Sequence, residues 1–537
     1  MEKINLNIPK EKFRFADPNR RMVDKKLDTK QMSYAKDVFR RFCKNKSSVV
    51  AAIIIGLLVL FAILVPMFCE TTYSKSLTDT KIMQYTKLLP KCELFVGTGF
   101  WDGTKKETVN ENKYNMLLAL EKETGRDVIV EQFGDPYVET TIVGKTSIDT
   151  TYYDIRVDTY LSNGMDFIDV TEEEFLDMQR WQEEKQIQLI YPAVDVKLTG
   201  AFNRPLIATM VQDNPNVWYE TDSKGNPKLV DGELNPCYAL STASRFSGLA
   251  YTQYYHYDST RVEGDNGDYL YALVSATRID EETVICSYRV RVSLNTYFQY
   301  RYGHEPSFLF GTDAKGQDIL TRLASGARFS LILAICISAV NLFIGAIYGA
   351  IEGFYGGAID LVMERISDVL GGMPSMVVMS LFQLHLAAKV GPVWSMVFAF
   401  VLTGWLGMAA RTRMQFYRFK RQEYVLSART LGASDARLMF KHIFPNAMGT
   451  LITGSILMIP GVIFSESSLT YLGIVNLEGS TQTSVGTLLS NGNGMVSTFP
   501  HVIFWPALFI SLLEISFNLF GNGLRDAFNP SLKGVDD

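Results

Sequence analysis

The stretch EYVLSARTLGASDARLMFKHIFPN, from Glu423 to Asn446, holds the residues whose types and spacing most clearly do work. Glu423 to Leu431 is rich in helix formers. Gly432 either breaks that helix or lets another backbone come close. Ser434 can cap a second helix beginning at Asp435, and Pro445 is expected to end it. Arg429, Arg437, Lys441 and His442 make the stretch basic against Glu423 and Asp435 alone. The chemistry implied is mechanical: a short helix seated in a groove of a soluble partner passes motion between the two. An ordinary basic loop beside a membrane is the plain alternative, and the ordered helix, glycine, cap and proline speak against it.

Carboxylates in apolar surroundings form a second class of candidate. Glu466 stands near one end of an apolar run, and Glu514 lies inside another, WPALFISLLEISFNLFG. An acid at that depth is costly unless it faces a cavity or a partner. In GGMPSM (371–376), Gly371 and Gly372 allow close helix packing and Pro374 breaks the helix. A broken helix can line a cavity; a kink serving packing alone is the alternative. The chain has no G-x-x-x-x-G-K-[ST] phosphate loop. Residues 69–305 contain no H-E-x-x-H, C-x-x-C or G-x-S-x-G. TEEEF (171–175) reads as a solvated helix start rather than a cation site. YTQYYHY (251–257) reads as a buried strand or interface rather than a peptide-binding surface.

Membrane helices must hold these residues. The 537-residue chain is 47% hydrophobic with a net charge of −5, averages that conceal a mosaic. Ser47 to Phe68 is uncharged and long enough to cross a bilayer core of about 30 Å. It follows a basic tail and exceeds a signal peptide's apolar core of roughly 7–15 residues, so it reads as a retained helix. Five more apolar runs cover 328–351, 366–388, 392–410, 449–472 and 501–521. Asp368, Pro374 and His385 interrupt the run at 366–388. Residues 1–46 carry 14 Lys/Arg against 6 Asp/Glu, which places the N-terminus in the cytoplasm. Counting crossings puts the basic loop 411–448 and the C-terminus on that same side. Asn476 to Pro500 has no Lys or Arg, as expected outside.

Residues 69–305 are too polar for lipid and too long for a plain loop. Their excess of about 14 negative charges suits an exported, solvated surface. Alternation predicts strands over 282–302 and 269–279. Helical spacing over 169–189 turns Phe175, Met178 and Trp181 to one face. Residues 222–233 are turn-rich. The expectation is an extracytoplasmic α+β domain. Cys69, Cys92, Cys237 and Cys286 fall on that side, where a disulfide is permitted and free thiols are the alternative. Residues 306–327 follow as an interfacial segment, in which Ile319, Leu320, Leu323 and Ala324 share a face. Transmembrane helices occupy 47–68 and 328–524, and 525–537 is a cytoplasmic tail.

The 423–446 stretch resembles the EAA loop of ATP-binding-cassette importer permeases. More narrowly it is similar to the dipeptide/oligopeptide permeases, whose pattern is E-Y-V-x-A-A-R-x-L-G-A-S, then H-I-x-P-N. Here Glu423, Tyr424, Val425, Ala428, Arg429, Leu431, Gly432, Ala433, Ser434, His442, Ile443, Pro445 and Asn446 match. Ser427 replaces an alanine and Phe444 a leucine. FGTDAKGQDILTRLASGARFSL (310–331), ESSLTYLG (466–473) and FNLFGNGLRDAFNP (517–530) resemble further segments of the C-type subunit, with Gln317 where arginine is usual. The four motifs occur in order across the membrane part, and the large insert departs from the pattern.

The resemblance implies a membrane all-α fold: six transmembrane helices of the type I importer kind, with the α+β insert between helices 1 and 2. It implies a transport subunit, not an enzyme, in a bacterial plasma membrane. The expected partners are a second permease chain, two ATPase chains and an extracytoplasmic, lipid-anchored substrate-binding protein, besides membrane lipid; no nucleic acid is expected. This chain would hold no cofactor or metal, and ATP and Mg would be bound by the ATPases. Glu423, Ala428, Arg429, Leu431, Gly432, Ala433, Ser434, Arg437 and Pro445 would couple to them. Met373, Pro374, Met376, Met458, Glu466 and Glu514 are candidates for pathway or gate. Glu466 falls on a family motif and reads as a packing or gate residue. Glu514 either meets a cationic group of the cargo or bonds to the other permease chain. Peptide is the leading cargo, with nickel chelates or oligosaccharides as alternatives. A membrane-anchored receptor or scaffold needs no ATPase dock, and a tethered hydrolase lacks a nucleophile or metal constellation. The insert is expected either to dock the delivery protein or to cap the outer mouth.

Overall fold

The computed structural model describes residues 34–73, 85–143, 146–191, 217–219, 229–230, 233–234, 236–238, 261–263, 269–278, 284–478 and 483–528. Helix α1 (Tyr34–Lys44) leads into α2 (Lys46–Tyr73). The uncharged stretch of α2 is apolar all round, the pattern of a membrane span. It buries Ala51 and Ala62 while Ile53, Leu57 and Leu60 stay open. Among the described residues of 69–305, two antiparallel sheets follow. The first is built on the long β4 (Thr146–Asp158), with β1 (Thr104–Asn110) on one side and β2 (Ile129–Gln132) and β3 (Tyr137–Val143) on the other. Helix α3 (Glu111–Thr124) joins β1 to β2 and buries Leu117 and Leu120.

The second sheet contains β5 (Met165–Thr171), and β6 (Ile190–Tyr191) follows helix α4 (Glu172–Lys185). Two short pairs intervene, β7 (Val217–Tyr219) with β10 (Pro236–Tyr238), and β8 (Leu229–Val230) with β9 (Glu233–Leu234). Strands β11 (Arg261–Glu263), β12 (Tyr269–Arg278) and β13 (Val284–Ser293) complete the order β11-β12-β13-β5, with β6 also on β13. Phe175 and Met178 of α4 pack on Ile168, Val170, Val290 and Val292, with Trp181 at the margin. Thr171 caps α4 by accepting the Glu174 N–H, so TEEEF is a helix start.

One strand expectation needs correction. Residues 294–302 form helix α5 (Leu294–Tyr302), not the second half of a strand. Leu294, Tyr297 and Phe298 recur at helical spacing and are buried, so tertiary packing overrides the local alternation. YTQYYHY and most of 222–233 lie outside the described residues. Cys92 is a free thiol; the side chains of Cys69, Cys237 and Cys286 lie outside the described set.

The chain then runs through α6 (Ile319–Tyr355), α7 (Gly357–Gly371), α8 (Ser375–Val390), α9 (Pro392–Gly404) and α10 (Leu406–Phe419). After α11 (Glu423–Thr430) come a turn at Asp435–Arg437 and a π-helical segment, Leu438–Ile443, then α12 (Phe444–Tyr471), α13 (Val485–Gly492) and α14 (His501–Phe528). Among the described residues, five helical runs are long and apolar enough to cross a bilayer: 46–68, 319–355, 392–419, 435–471 and 501–528. The pair α7 and α8, bent by 72°, makes a sixth if counted as one span. The bend falls at Gly372–Pro374, where the sequence places a helix break.

Residues 319–327, the second part of the 306–327 segment, are helical and continuous with the helix that follows. They are the first turns of α6, begun by Asp318, whose carboxylate accepts the Leu320 and Thr321 N–H groups. The face formed by Leu323 and Ala327 is buried with Val485 and Leu488 of α13. Burial raises the carboxyl pKa of Asp318, and its bonds to Thr321 and Leu320 oppose that rise. Gly371 and Gly372 also differ from expectation, since a Cβ on either would meet only ordinary or slightly tight neighbours. Close packing belongs to Gly345, Gly349 and Gly353, spaced by four along α6. A Cβ at Gly349 would stand 2.1 Å from the Ala409 carbonyl oxygen. Such small-residue grooves let helices approach where no water-driven force operates between them.

Candidate functional site

The Glu423–Asn446 hairpin sits on the end of the bundle where α6 and α10 finish. Val425, Leu438, Met439 and Ile443 are buried against Ala350 and Phe354 of α6 and Phe416 of α10. Ala428 and Ala433 pack against that cluster, where larger residues would lift the hairpin off. The Ala433 N–H donates to the Ala428 carbonyl at 3.1 Å and the Gly432 N–H to the Arg429 carbonyl at 3.0 Å. This pair of bonds closes a helix through a left-handed residue, and Gly432 supplies it at φ +81°. A Cβ there would meet nothing within 4 Å. Of the two reasons expected for this glycine, the helix break is therefore the one realised within the chain. Ser434 Oγ accepts the Arg437 N–H at 3.4 Å, as a cap should.

Pro445 does not end the second helix. The helical run from Asp435 to Tyr471 is continuous, with Pro445 in the first turn of α12. A proline lacks the N–H that the preceding turn would bond, and the wider π turns at Leu438–Ile443 lie immediately before it. The lower limb of the hairpin is thus the start of α12, a direct lever into the bundle. Asn446 Nδ2 closes the fork, donating to the Tyr424 hydroxyl at 3.1 Å and the His442 carbonyl at 2.8 Å.

The outward face carries Glu423, Leu431, Ser434 and Arg437, all exposed, with Leu431 at 88% and Phe440 at 58%. Arg429 lies over the Phe354 ring at 5.6 Å, tying the upper limb to the end of α6. Lys420 Nζ donates to the Gly353 and Phe354 carbonyls at 2.9 and 3.3 Å, satisfying that helix end. Burial, then the nearby Arg421 and Arg429, lower its ammonium pKa.

Behind the hairpin lies a cluster that sequence reasoning missed. Arg413 Nε and Nη2 donate to Asp360 at 2.7 and 2.9 Å, and Nη1 donates to Glu364 at 2.9 Å. Glu352 stands 3.5 Å from the same guanidinium, and the Tyr417 hydroxyl donates to Asp360. One arginine thus joins α6, α7 and α10. Its partners lie 49 and 53 residues away, so no local pattern could announce it. The four-residue glycine spacing of α6 was a legible signal that went unused.

The pathway candidates sit on different elements. Met373, Pro374 and Met376 are exposed at the α7–α8 break. Met458 is packed against the Ala346–Met408–Leu451 cluster. Glu466 is buried. It accepts from Ser330 of α6 at 3.0 Å, Thr470 at 3.3 Å and Ser467 at 3.4 Å, the setting of a packing residue. Glu514 is half-buried on α14 with no hydrogen-bond or ion-pair partner among the described residues. Ser511, Asn518 and Arg525 share its side of the helix by spacing and are exposed.

The family profile described as "Binding-protein-dependent transport system inner membrane component" matches residues 341–534. That described as "N-terminal TM domain of oligopeptide transport permease C" matches 33–90. Similar relatives include the oligopeptide transport system permease protein OppC of Bacillus subtilis, 41% identical over 42% of this chain and 72% of that protein. The dipeptide transport system permease protein DppC of the same organism is 38% identical over 42% and 69%. OppC of Escherichia coli K12 is 34% identical over 42% and 73%. The sheet-bearing region falls outside both profiles.

Proposed function

This chain belongs to the binding-protein-dependent transport permeases, of the oligopeptide permease C kind, and from that membership we propose how it works. It is a membrane-spanning permease subunit of an ATP-driven importer of di- or oligopeptides. It forms part of the pathway with a second permease chain. Two separate ATPases, which bind ATP and Mg, dock on the 423–446 hairpin, and an extracytoplasmic binding protein delivers the cargo. Both termini and the hairpin lie in the cytoplasm, and the sheet-bearing insert lies outside.

The observation that supports coupling at this site is the continuity of the hairpin's lower limb with α12. A push on Phe440 reaches α12 without crossing a loop, and a push on either limb reaches α6 through the Phe354–Phe416 cluster. Arg413 keeps α7 in step with α6 and α10. The bundle then moves as a rigid lever between inward-open and outward-open arrangements, biased by ATP and by the loaded binding protein.

The test is gentle purification of the tagged chain with mass spectrometry of what accompanies it. Recovery of a second permease and ATP-binding-cassette ATPases is expected, with the ATPases but not the second permease lost in Gly432→Trp. Recovery of the chain alone from several mild detergents would overturn the assignment of the hairpin. For cargo contact, Glu514→Gln should reduce uptake of free-amino peptides more than of N-acetylated ones. Equal effects on both would remove Glu514 from the pathway.

A further inference from the structure

Residues 93–101, ELFVGTGFW, form an exposed apolar loop beside the first turns of α14. Leu94 is 87% exposed, Phe100 68% and Val96 64%, with Phe95 at 37%. No charge separates Glu93 from Asp102. The loop is held open-faced by its own bonds. Asp102, itself buried, accepts the Gly99 N–H at 2.7 Å and the Thr104 N–H at 3.0 Å. The Cys92 N–H closes the neck on the Trp101 carbonyl at 2.8 Å. The apolar side chains are thus presented outward on a fixed backbone instead of folding into a core.

The loop's place against the bundle identifies what covers it. The Trp101 ring stacks on Trp505 of α14 at 5.4 Å, and Trp505 stacks on Phe310 at 4.0 Å. Trp101 Nε1 donates to the Leu309 carbonyl. Trp505 lies in the second turn of a helix apolar enough to cross a bilayer. Its neighbour Phe504 opens an exposed apolar stripe that continues through Leu508, Ile515 and Leu519. The loop therefore extends a lipid-type surface sideways at the level where that helix enters the membrane. Aromatic residues with a polar handle favour that level, and exposed apolar patches of this kind mark interaction surfaces.

We propose that residues 93–101 are a lipid-inserting loop that pins the insert to the outer leaflet beside α14. The proposal rests on the reading that α14 spans the bilayer. Lipid, not a protein groove, is the occupant because the patch is uncharged across its tip and runs into the helix's own lipid-type stripe. Immersed in this way, the insert is held at a fixed height and tilt over the pathway.

The test uses the full chain in phospholipid nanodiscs containing a lipid with a photoreactive diazirine near the glycerol end of its acyl chain. Adducts are mapped by mass spectrometry, with Phe504 to Leu508 of α14 as internal reference. Adducts on 93–101 at a level comparable to the reference are expected. The triple variant Leu94→Asp, Val96→Asp, Phe100→Asp should lower them several-fold while the reference is unchanged. Adducts on α14 but not on the loop, or equal loop labelling in the variant, would overturn the proposal. So would a loop labelled by lipid in the lone chain yet shielded by protein in the assembled importer. Absence of adducts from α14 as well would take down the spanning reading beneath it.

Discussion

Residues 93–103 and 423–446 lie at opposite ends of the bundle, separated by the length of α6, about 55 Å. Both use a left-handed glycine and a side-chain cap to fix a short turn. They differ in where the apolar residues go. The hairpin sends Val425, Leu438, Met439 and Ile443 inward and shows Leu431 and Phe440 within a rim of charges. The loop sends only Trp101 against the bundle and shows Leu94, Val96 and Phe100 with no charge between them. A polar rim suits a protein groove that must bind and release. An uncharged tip suits a solvent of hydrocarbon, where each charge would be costly.

That contrast can be broken experimentally, and the largest effect belongs to the hairpin. Gly432→Trp should abolish peptide uptake while the chain still inserts and remains stable. Gly432→Ala should keep measurable uptake, because nothing crowds a Cβ there and left-handed strain costs only about 1–2 kcal/mol. Equal loss in both variants would mean that backbone strain alone matters and that no partner approaches. Arg413→Met should come next, leaving Asp360 and Glu364 without their cation behind the hairpin. A loss of about 2–4 kcal/mol is expected, below the fully buried case because the site is partly open. Thermal unfolding in detergent, with Arg413→Lys intermediate, checks it.

Smaller effects probe the other end. Trp101→Ala removes the stack on Trp505 and should cost about 1–3 kcal/mol, read as faster hydrogen exchange over 93–103 with the hairpin unchanged. Altered exchange at 423–446 as well would show that the two ends are mechanically coupled. Asp102 gives the mildest test. Burial pushes its carboxyl pKa up, but hydrogen bonds from Thr104 and Gly99 outweigh that and hold it below 3.8. A depressed folded value stabilises above the unfolded pKa and is lost as pH falls through the folded one. Loop protection should therefore hold from neutral pH to about 4 and fade only below, and Asp102→Asn should remove that dependence.

The hairpin was legible because its logic is local: helix formers, a glycine and a cap follow one another within a dozen residues. The spans were legible for the same reason, as runs of apolar residues. Residues 294–302 were misread because alternation in sequence yielded to burial of Leu294, Tyr297 and Phe298. Pro445 was misread because a proline can open a helix as well as end one, and only continuity with the π turns distinguishes the two. The loop at 93–101 passed unnoticed because LFVGTGFW is too short for periodicity and its meaning depends on Trp505, some 400 residues away.

Amino-acid order alone was enough to establish a membrane permease with a basic, glycine-turned hairpin between its later spans. Those features arise from solvent preference and backbone geometry, which act over one helix or one turn. Which residues meet across the bundle was settled by packing. Arg413 gathers acids from two other helices, Gly349 admits Ala409, and Trp101 finds Trp505. Such contacts depend on how distant segments are brought together in three dimensions, which no local pattern encodes.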